Sequence, residues 1–192
     1  MNEMTTIQGA SVWEPGFSVE AFQRLCETGV FDDDPGKIEL VEGKIERMPP
    51  PFVEHGRYQA RVLILIAQAY EGTDYRMGVE IGIRTGPKSV RGADVMATPK
   101  SARPDGWLDD GVGVPLAVEI MRTHDTRDLV DKVAEYAAAG VQNYWVVDLE
   151  ARLTHVFGLE GSAYVAGDPV PFGRELTVPG TDRTITIPEQ LD

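Results

Sequence analysis

The sequence predicts an α+β fold: a mixed central sheet flanked by helices, with an N-terminal helix and hairpin before the core and a C-terminal β meander after it. Three observations carry this. Apolar residues recur at helical spacing in some segments and alternate with period two in others. The two kinds of segment mix without the strict strand–helix alternation of a doubly wound sheet. A chain of 192 residues, 42% hydrophobic and 26% charged, is long enough to bury a substantial core.

Residues 1–15 read as a flexible arm, and 16–192 as a single domain with its core at about 37–158. Ser18 is placed to cap a helix over Val19–Glu27, with Phe17 and Phe22 as a hydrophobic staple and Gly29 as its stop. Asp32-Asp33-Asp34-Pro35-Gly36 is a solvated turn, because it lacks the spaced ligands and closing glutamate of a calcium loop. Residues 37–41 and 44–48 alternate around Glu42-Gly43 and form a hairpin. Pro49-Pro50-Pro51 breaks the chain, and Tyr58, Val62, Leu65, Ile66 and Ala69 then mark a helix from Glu54 to Tyr70, closed by Gly72. Strands follow over 75–84, 92–97 and 114–121, then a helix over 126–139 ended by Gly140. Asn143–Asp148 is a buried strand with 152–157 pairing back on it, and short strands at 163–165, 175–178 and 184–187 finish the chain as an edge meander.

Composition excludes several function classes. No apolar run reaches the ~18 residues of a membrane span, and the first residues lack the basic start and apolar core of a secretion signal. Cys26 is the single cysteine, so no internal disulfide or thiolate cluster can form; it reads as a buried, unreactive thiol, and a cytoplasmic location is expected. With 18 basic and 31 acidic residues the net charge is −13, which opposes non-specific binding to a polyanion but leaves room for a local basic groove.

The chemistry concentrates in three acids and bases. Asp94 lies mid-strand in Gly92-Ala93-Asp94-Val95-Met96, and Glu119 lies near the end of the apolar strand Val114–Met121. A carboxylate inside an apolar strand is costly unless paired, protonated or bound to a cation, and two on neighbouring strands suit Mg²⁺. The plainer alternative is that each points to solvent from an edge. Asp128, Lys132 and Tyr136 then recur at i, i+4, placing Lys132 where the polar stripe of the helix meets its apolar one, or in a simple helical Asp128–Lys132 ion pair. His124 and His155 lack the partner spacing of a zinc site.

The run Ala117-Val118-Glu119-Ile120, Asp128-Leu129-Val130-Asp131-Lys132 and Tyr136 through Asp148 resembles the bacterial Uma-two family, assigned to the restriction endonucleases of the PD-(D/E)XK nuclease superfamily. Upstream, Ile38-Glu39-Leu40-Val41-Glu42-Gly43-Lys44-Ile45 is similar to the family's early hairpin, and Met48-Pro49-Pro50 with His55 is similar to the segment that follows it. The resemblance implies a restriction-endonuclease-like core and a nuclease acting on nucleic acid. It implies Asp94 and Glu119 as holders of Mg²⁺ or Mn²⁺, with the Ile120 carbonyl. Lys132 is implied to orient or help deprotonate the attacking water, with Glu39, His55 and Tyr136 as auxiliary groups and a homodimer as the assembly. Tyr144-Trp145 and the C-terminal strands offer apolar surface for a second copy.

Three departures from the family pattern stand out. Ala93 replaces the proline before Asp94, Met121-Arg122-Thr123-His124-Asp125 replaces a Ser/Pro-rich stretch, and Pro104-Asp105 reads as a loop decoy. The competing readings are a non-catalytic dimeric scaffold that keeps the fold, and a metal-dependent hydrolase acting on something other than nucleic acid.

Overall fold

The computed structural model describes residues 16–34, 36–102, 106–108, 110–123 and 127–191. The expected N-terminal arm, His124 and the Pro104-Asp105 pair lie outside them. Helix α1 (Val19–Glu27) begins at Ser18, whose Oγ accepts the Ala21 N–H at 3.2 Å. Its Val19 and Phe22 pack on Leu40 and Val90, and Phe22 stacks on Trp107 with ring centroids 5.1 Å apart. Cys26 is half-buried in the same cluster, where burial raises its thiol pKa.

Strands β1 (Ile38–Val41) and β2 (Lys44–Arg47) form the expected hairpin, with Glu42 and Gly43 both at positive φ, as a two-residue turn of this hand requires. Asp34 of the acidic turn binds Arg47 at 2.6 Å and accepts the Gly36 N–H. Helix α2 (Val53–Ala69) buries Tyr58, Val62, Ile66 and Ala69, while Leu65 is only partly covered. The region read as three strands contains five: β3 (Tyr75–Gly78), β4 (Ile81–Gly86), β5 (Ser89–Ala93), β6 (Val95–Pro99) and β7 (Leu116–Met121). They belong to two sheets. One is ordered β2-β1-β5-β4. The other runs β10-β9-β8-β7-β6-β3, built with β8 (Asn143–Asp148), β9 (Leu153–Glu160) and β10 (Ala163–Ala166). Asp94 therefore stands between strands, not mid-strand. It is the residue at which the chain leaves the first sheet for the second.

Along β7 the side chains alternate between two cores. Leu116, Val118 and Ile120 pack toward α2, and Ala117 and Met121 face the other side. That second face is covered by a π-helical turn (Arg127–Asp131) leading into α3 (Lys132–Ala139), where one uninterrupted helix was expected. Gly140, at φ 91°, ends α3. β7 and β8 pair in parallel, which obliges the connection through α3 to cross over one face of the sheet.

The C-terminal strands do more than lengthen an edge. β11 (Val170–Pro171) pairs with β9, whereas β12 (Glu175–Thr177) and β13 (Thr184–Thr186) form their own two-stranded sheet. Phe172, Leu176, Val178, Ile185 and Ile187 close the core beside α2 and bury Trp145. Tyr144 and Trp145 are 0% and 2% exposed, so they give no apolar surface to a second copy. No helix of the described residues is long and apolar enough to cross a membrane.

Gly43 ties the hairpin to the N-terminal segment. A Cβ there would lie 3.2 Å from Gly16 Cα and 3.3 Å from the Phe17 carbonyl oxygen, at a φ of 81°. Gly43→Ala is expected to cost about 1–2 kcal/mol, read as a lower urea midpoint at unchanged slope.

Candidate active site

The crossover from β7 to β8 sets the first half of the site. Glu119 shares the β7 face of Ala117 and Met121, and α3 lies across that face. Lys132, the first residue of α3, places its ammonium 3.0 Å from Glu119 Oε1, and Tyr136, one turn on, donates its hydroxyl to the same oxygen at 3.0 Å. Lys132 also reaches Asp128 Oδ1 at 2.9 Å, so the helical ion pair and the contact with Glu119 both exist.

The break between β5 and β6 sets the second half. Asp94 Oδ2 accepts the Ile120 N–H at 2.8 Å and contacts His55 Nε2 at 3.1 Å; Oδ1 lies 3.5 Å from Lys37 Nζ. Its own carbonyl accepts from Gln59 at 2.9 Å. Because the acceptor is a carboxylate, His55 Nε2 carries the proton of that bond, and Nδ1 is buried with no hydrogen-bond partner among the described residues. Ile120 is tied to Asp94 through its N–H.

Asp94, Glu119, Lys132, Glu39, His55 and Ile120 all line one cleft of about 290 Å³. Tyr136 is fully buried behind its wall, and His155 lies elsewhere, on β9 beside Asp148 at 3.5 Å. A layer of paired charges supports the cleft. Glu39 accepts the Gly92 N–H at 3.0 Å and binds Arg91 at 3.1 Å, and Arg91 makes a two-pronged contact with Glu135 at 2.6 and 2.7 Å.

Sequence reasoning missed Lys37, whose ammonium lies among Asp94, Glu39 (3.6 Å) and Glu80 (3.1 Å). The signal was present: Lys37 and Glu39 are two apart at the start of a strand and so share a face. Arg91 was also missed, being neither periodic nor part of a motif.

Burial pushes the Asp94 carboxyl up, but the His55 hydrogen bond, the Lys37 ammonium and the Ile120 amide together hold it well below its usual range. Glu119 goes the other way. Burial, then the Asp94 charge, push it up to about 8 in spite of the Lys132 and Lys37 ammonium groups. Burial disfavours charge on Lys132, but Glu119 and Asp128 outweigh it and keep the group an ammonium. Lys37 is held charged in the same way, by Glu119, Asp94, Glu39 and Glu80.

Among the described residues no three His, Cys, Asp or Glu side chains form a metal cage. The cleft instead offers two hard carboxylates, Asp94 and Glu119, joined through the Ile120 amide. Among the described residues Glu119 Oε2 takes no hydrogen bond, and Asp94 Oδ1 has only the long contact to Lys37. That donor set fits Mg²⁺ or Mn²⁺, which need only one or two carboxylates and keep several waters.

The model of the Uma2 family, described as "Putative restriction endonuclease", matches residues 19–188. Among solved structures, the chain is similar to a protein from Anabaena variabilis described as a putative nuclease belonging to DUF820. The TM-score is 0.68 at 16% identity, covering 90% of this chain and 96% of that one. At that identity the match establishes the restriction-endonuclease-like fold. No curated protein matches the chain.

The raised Glu119 carboxyl has a consequence for stability. Between its ordinary value of 4.5 and about 8 the folded chain holds a proton that the unfolded chain has lost, so this group makes stability fall as pH rises through that window. In EDTA the melting temperature of Glu119→Gln is expected to fall less steeply than that of the wild type from pH 5 to about 8.5, and to exceed it at the upper end. Parallel curves would mean that Glu119 is ionised throughout.

Proposed function

The chain belongs to the Uma2 family, and from that premise we propose that it is a metal-dependent endonuclease hydrolysing phosphodiester bonds of nucleic acid. The observation that carries this reading is the meeting of the Glu119 carboxylate and the Lys132 ammonium, 3.0 Å apart, in the cleft that also contains Asp94.

Asp94 and Glu119 would hold Mg²⁺ or Mn²⁺. Such an ion supplies positive charge to the phosphoryl oxygens and a more acidic water. Lys132 acts as a fixed ammonium: its neighbours hold it protonated, so its part is to orient the water and stabilise charge on the phosphoryl group, not to accept the proton. Deprotonation by Lys132, allowed by the sequence, is thereby dropped. His55 acts on Asp94: its Nε2 holds Oδ2 at 3.1 Å, while Nδ1 is buried away from the cleft water, so the water's proton passes to solvent in the cleft. Glu39 and Tyr136 position: Glu39 by holding Gly92 and Arg91 beside Asp94, Tyr136 by fixing Glu119 Oε1.

Thermal melts with and without divalent metal, run beside cleavage of single- and double-stranded DNA and RNA, test this. With metal at a hundredfold excess over its Kd, the wild type is expected to gain about 2.7 kcal/mol, and Asp94→Asn and Glu119→Gln to lose the gain together with cleavage. Lys132→Met should keep most of the metal-induced gain while cleavage falls roughly 10²–10³-fold. A wild type with neither a metal-dependent shift nor cleavage of any substrate would mark a scaffold that retains the fold.

A further inference from the structure

The mouth of the cleft differs in chemistry from its floor. The floor is charged and its groups are paired. The mouth is lined by exposed Pro49, Pro50, Pro51 and Phe52 and by the exposed Arg122 and Arg127. Phe52 is the N-cap residue of α2, yet its side chain makes no capping bond and is 64% exposed. The Arg122 guanidinium sits 4.1 Å from the centre of its ring. Arg127 reaches the same rim, with Nη1 3.4 Å from Met48 Sδ.

Phe52 does not stand alone: Pro49, Pro50, Pro51 and Val53 are exposed with it, so the lip carries a contiguous apolar patch, and such a patch at the rim of a site is the kind that marks binding. With Arg122 over one face, the remaining exposure presents the rest of the ring to solvent. Beside it stand two guanidinium groups, the side chains that best match phosphate oxygens. This pairing of a flat apolar face with adjacent cations is how unpaired nucleotides are held: the base stacks and the phosphate is neutralised. A duplex uses such a face only at a cost, because its bases already stack on one another and a ring reaches their faces only at an end or by wedging a step open.

We propose that Phe52, with Arg122 and Arg127, forms a stacking platform for an unpaired nucleobase of a nucleic-acid strand entering the cleft, giving the site a preference for single-stranded or locally unpaired substrate. This rests on the reading of the cleft as a phosphodiesterase site and adds its substrate class. Phe52 contributes by positioning and takes no part in the chemistry.

The test is fluorescence anisotropy on the full chain in EDTA, where nothing is cut, with fluorescein-labelled oligothymidylate, oligouridylate and a blunt DNA duplex of equal length. Phe52→Ala is expected to weaken binding of both single strands roughly tenfold and leave the duplex within about twofold. Phe52→Trp should restore single-strand binding, and the double variant Arg122→Ala/Arg127→Ala should lower both the affinity and its dependence on salt. Unchanged single-strand binding by Phe52→Ala overturns the proposal, as does an equal loss on the duplex or no binding of any strand by the wild type. Light scattering on the same samples covers the other occupant: a dimer that Phe52→Ala splits would assign the residue to an interface between copies, which also overturns it. Failure of the nuclease reading is separate. Phe52-dependent binding without cleavage when Mg²⁺ or Mn²⁺ is added removes the enzyme and keeps the platform, whereas cleavage with an unchanged KM in Phe52→Ala removes the platform and keeps the enzyme.

Discussion

The contact between Lys132 and Glu119 organises the rest of the site, because each offsets part of the cost of burying the other. Glu119 is 2% exposed and Lys132 7%. An isolated charge at that depth costs several kcal/mol, far more than a single surface pair returns. The parallel pairing of β7 and β8 forces α3 over the Glu119 face of the sheet. α3 begins at Lys132, so the ammonium arrives over the carboxylate as a result of topology. The π-helical turn ahead of α3 brings Asp128 to the other side of the same ammonium and its carbonyl to the Tyr144 hydroxyl, at 2.9 Å each. A buried ion pair of this kind is a poor source of net stability compared with apolar side chains of the same volume. Its retention beside an open cleft is better explained by what the charges do there.

A second set of charges holds the two sheets in register around that pair. Arg91 lies on β5 and is 2% exposed. It binds Glu39 on β1 and Glu135 on α3, joining the smaller sheet to the helix that covers the larger one. Glu39 also receives the Gly92 amide, which fixes the backbone two residues before Asp94. A side chain at residue 92 would crowd Lys37, since its Cβ would lie 3.0 Å from Lys37 Cε. The position of Asp94 is thus set from the smaller sheet by Glu39 and Lys37, from α2 by His55 and Gln59, and from β7 by the Ile120 amide. Carboxylates supplied by two different sheets can be held in one geometry only if both sheets are locked in this way.

Elements with strong local signals were legible in the sequence. The Ser18 cap gave α1 its boundaries, the Glu42-Gly43 turn gave the hairpin, and the apolar face Tyr58, Val62, Ile66 and Ala69 gave α2. Glu119 and Lys132 were legible only in part from patterning, because i, i+4 spacing cannot separate a helical ion pair from a contact across to a strand; here Lys132 makes both. The break at Asp94 was hidden because Gly92 to Ala97 reads as one short strand of small and apolar residues around a single acid, and a change of sheet leaves no mark on hydropathy. Lys37 was legible only as far as its shared face with Glu39. A lysine at the start of a hairpin normally points to solvent, and only the fold shows that Asp94 and Glu80 come round to meet it. The role of the last strands went unseen because alternation reports which residues face inward, not which core they close.

The charge inside the cleft also bears on how a −13 chain could handle a polyanion. Its inner cations are already engaged: Lys132 with Glu119 and Asp128, Arg91 with Glu39 and Glu135, Lys37 with Asp94, Glu39 and Glu80. A phosphate reaching the floor therefore meets charge that is already balanced by carboxylates, and would have to compete with them for every contact. The imbalance that remains is one of sign. Burial and Asp94 push Glu119 toward holding a proton, which marks the pair as short of positive charge. A divalent ion between the carboxylates would reverse that locally and let the floor take the scissile phosphate, leaving binding of the strand at the rim independent of the ion. On this reading the acidic composition and the proposed substrate are compatible, because charge for the scissile phosphate comes from the ion while the exposed Arg122, stacked on Phe52, meets the strand at the rim. Few phosphates would be neutralised by side chains, and discrimination would rest on what stacks against Phe52 more than on the polyanion's charge.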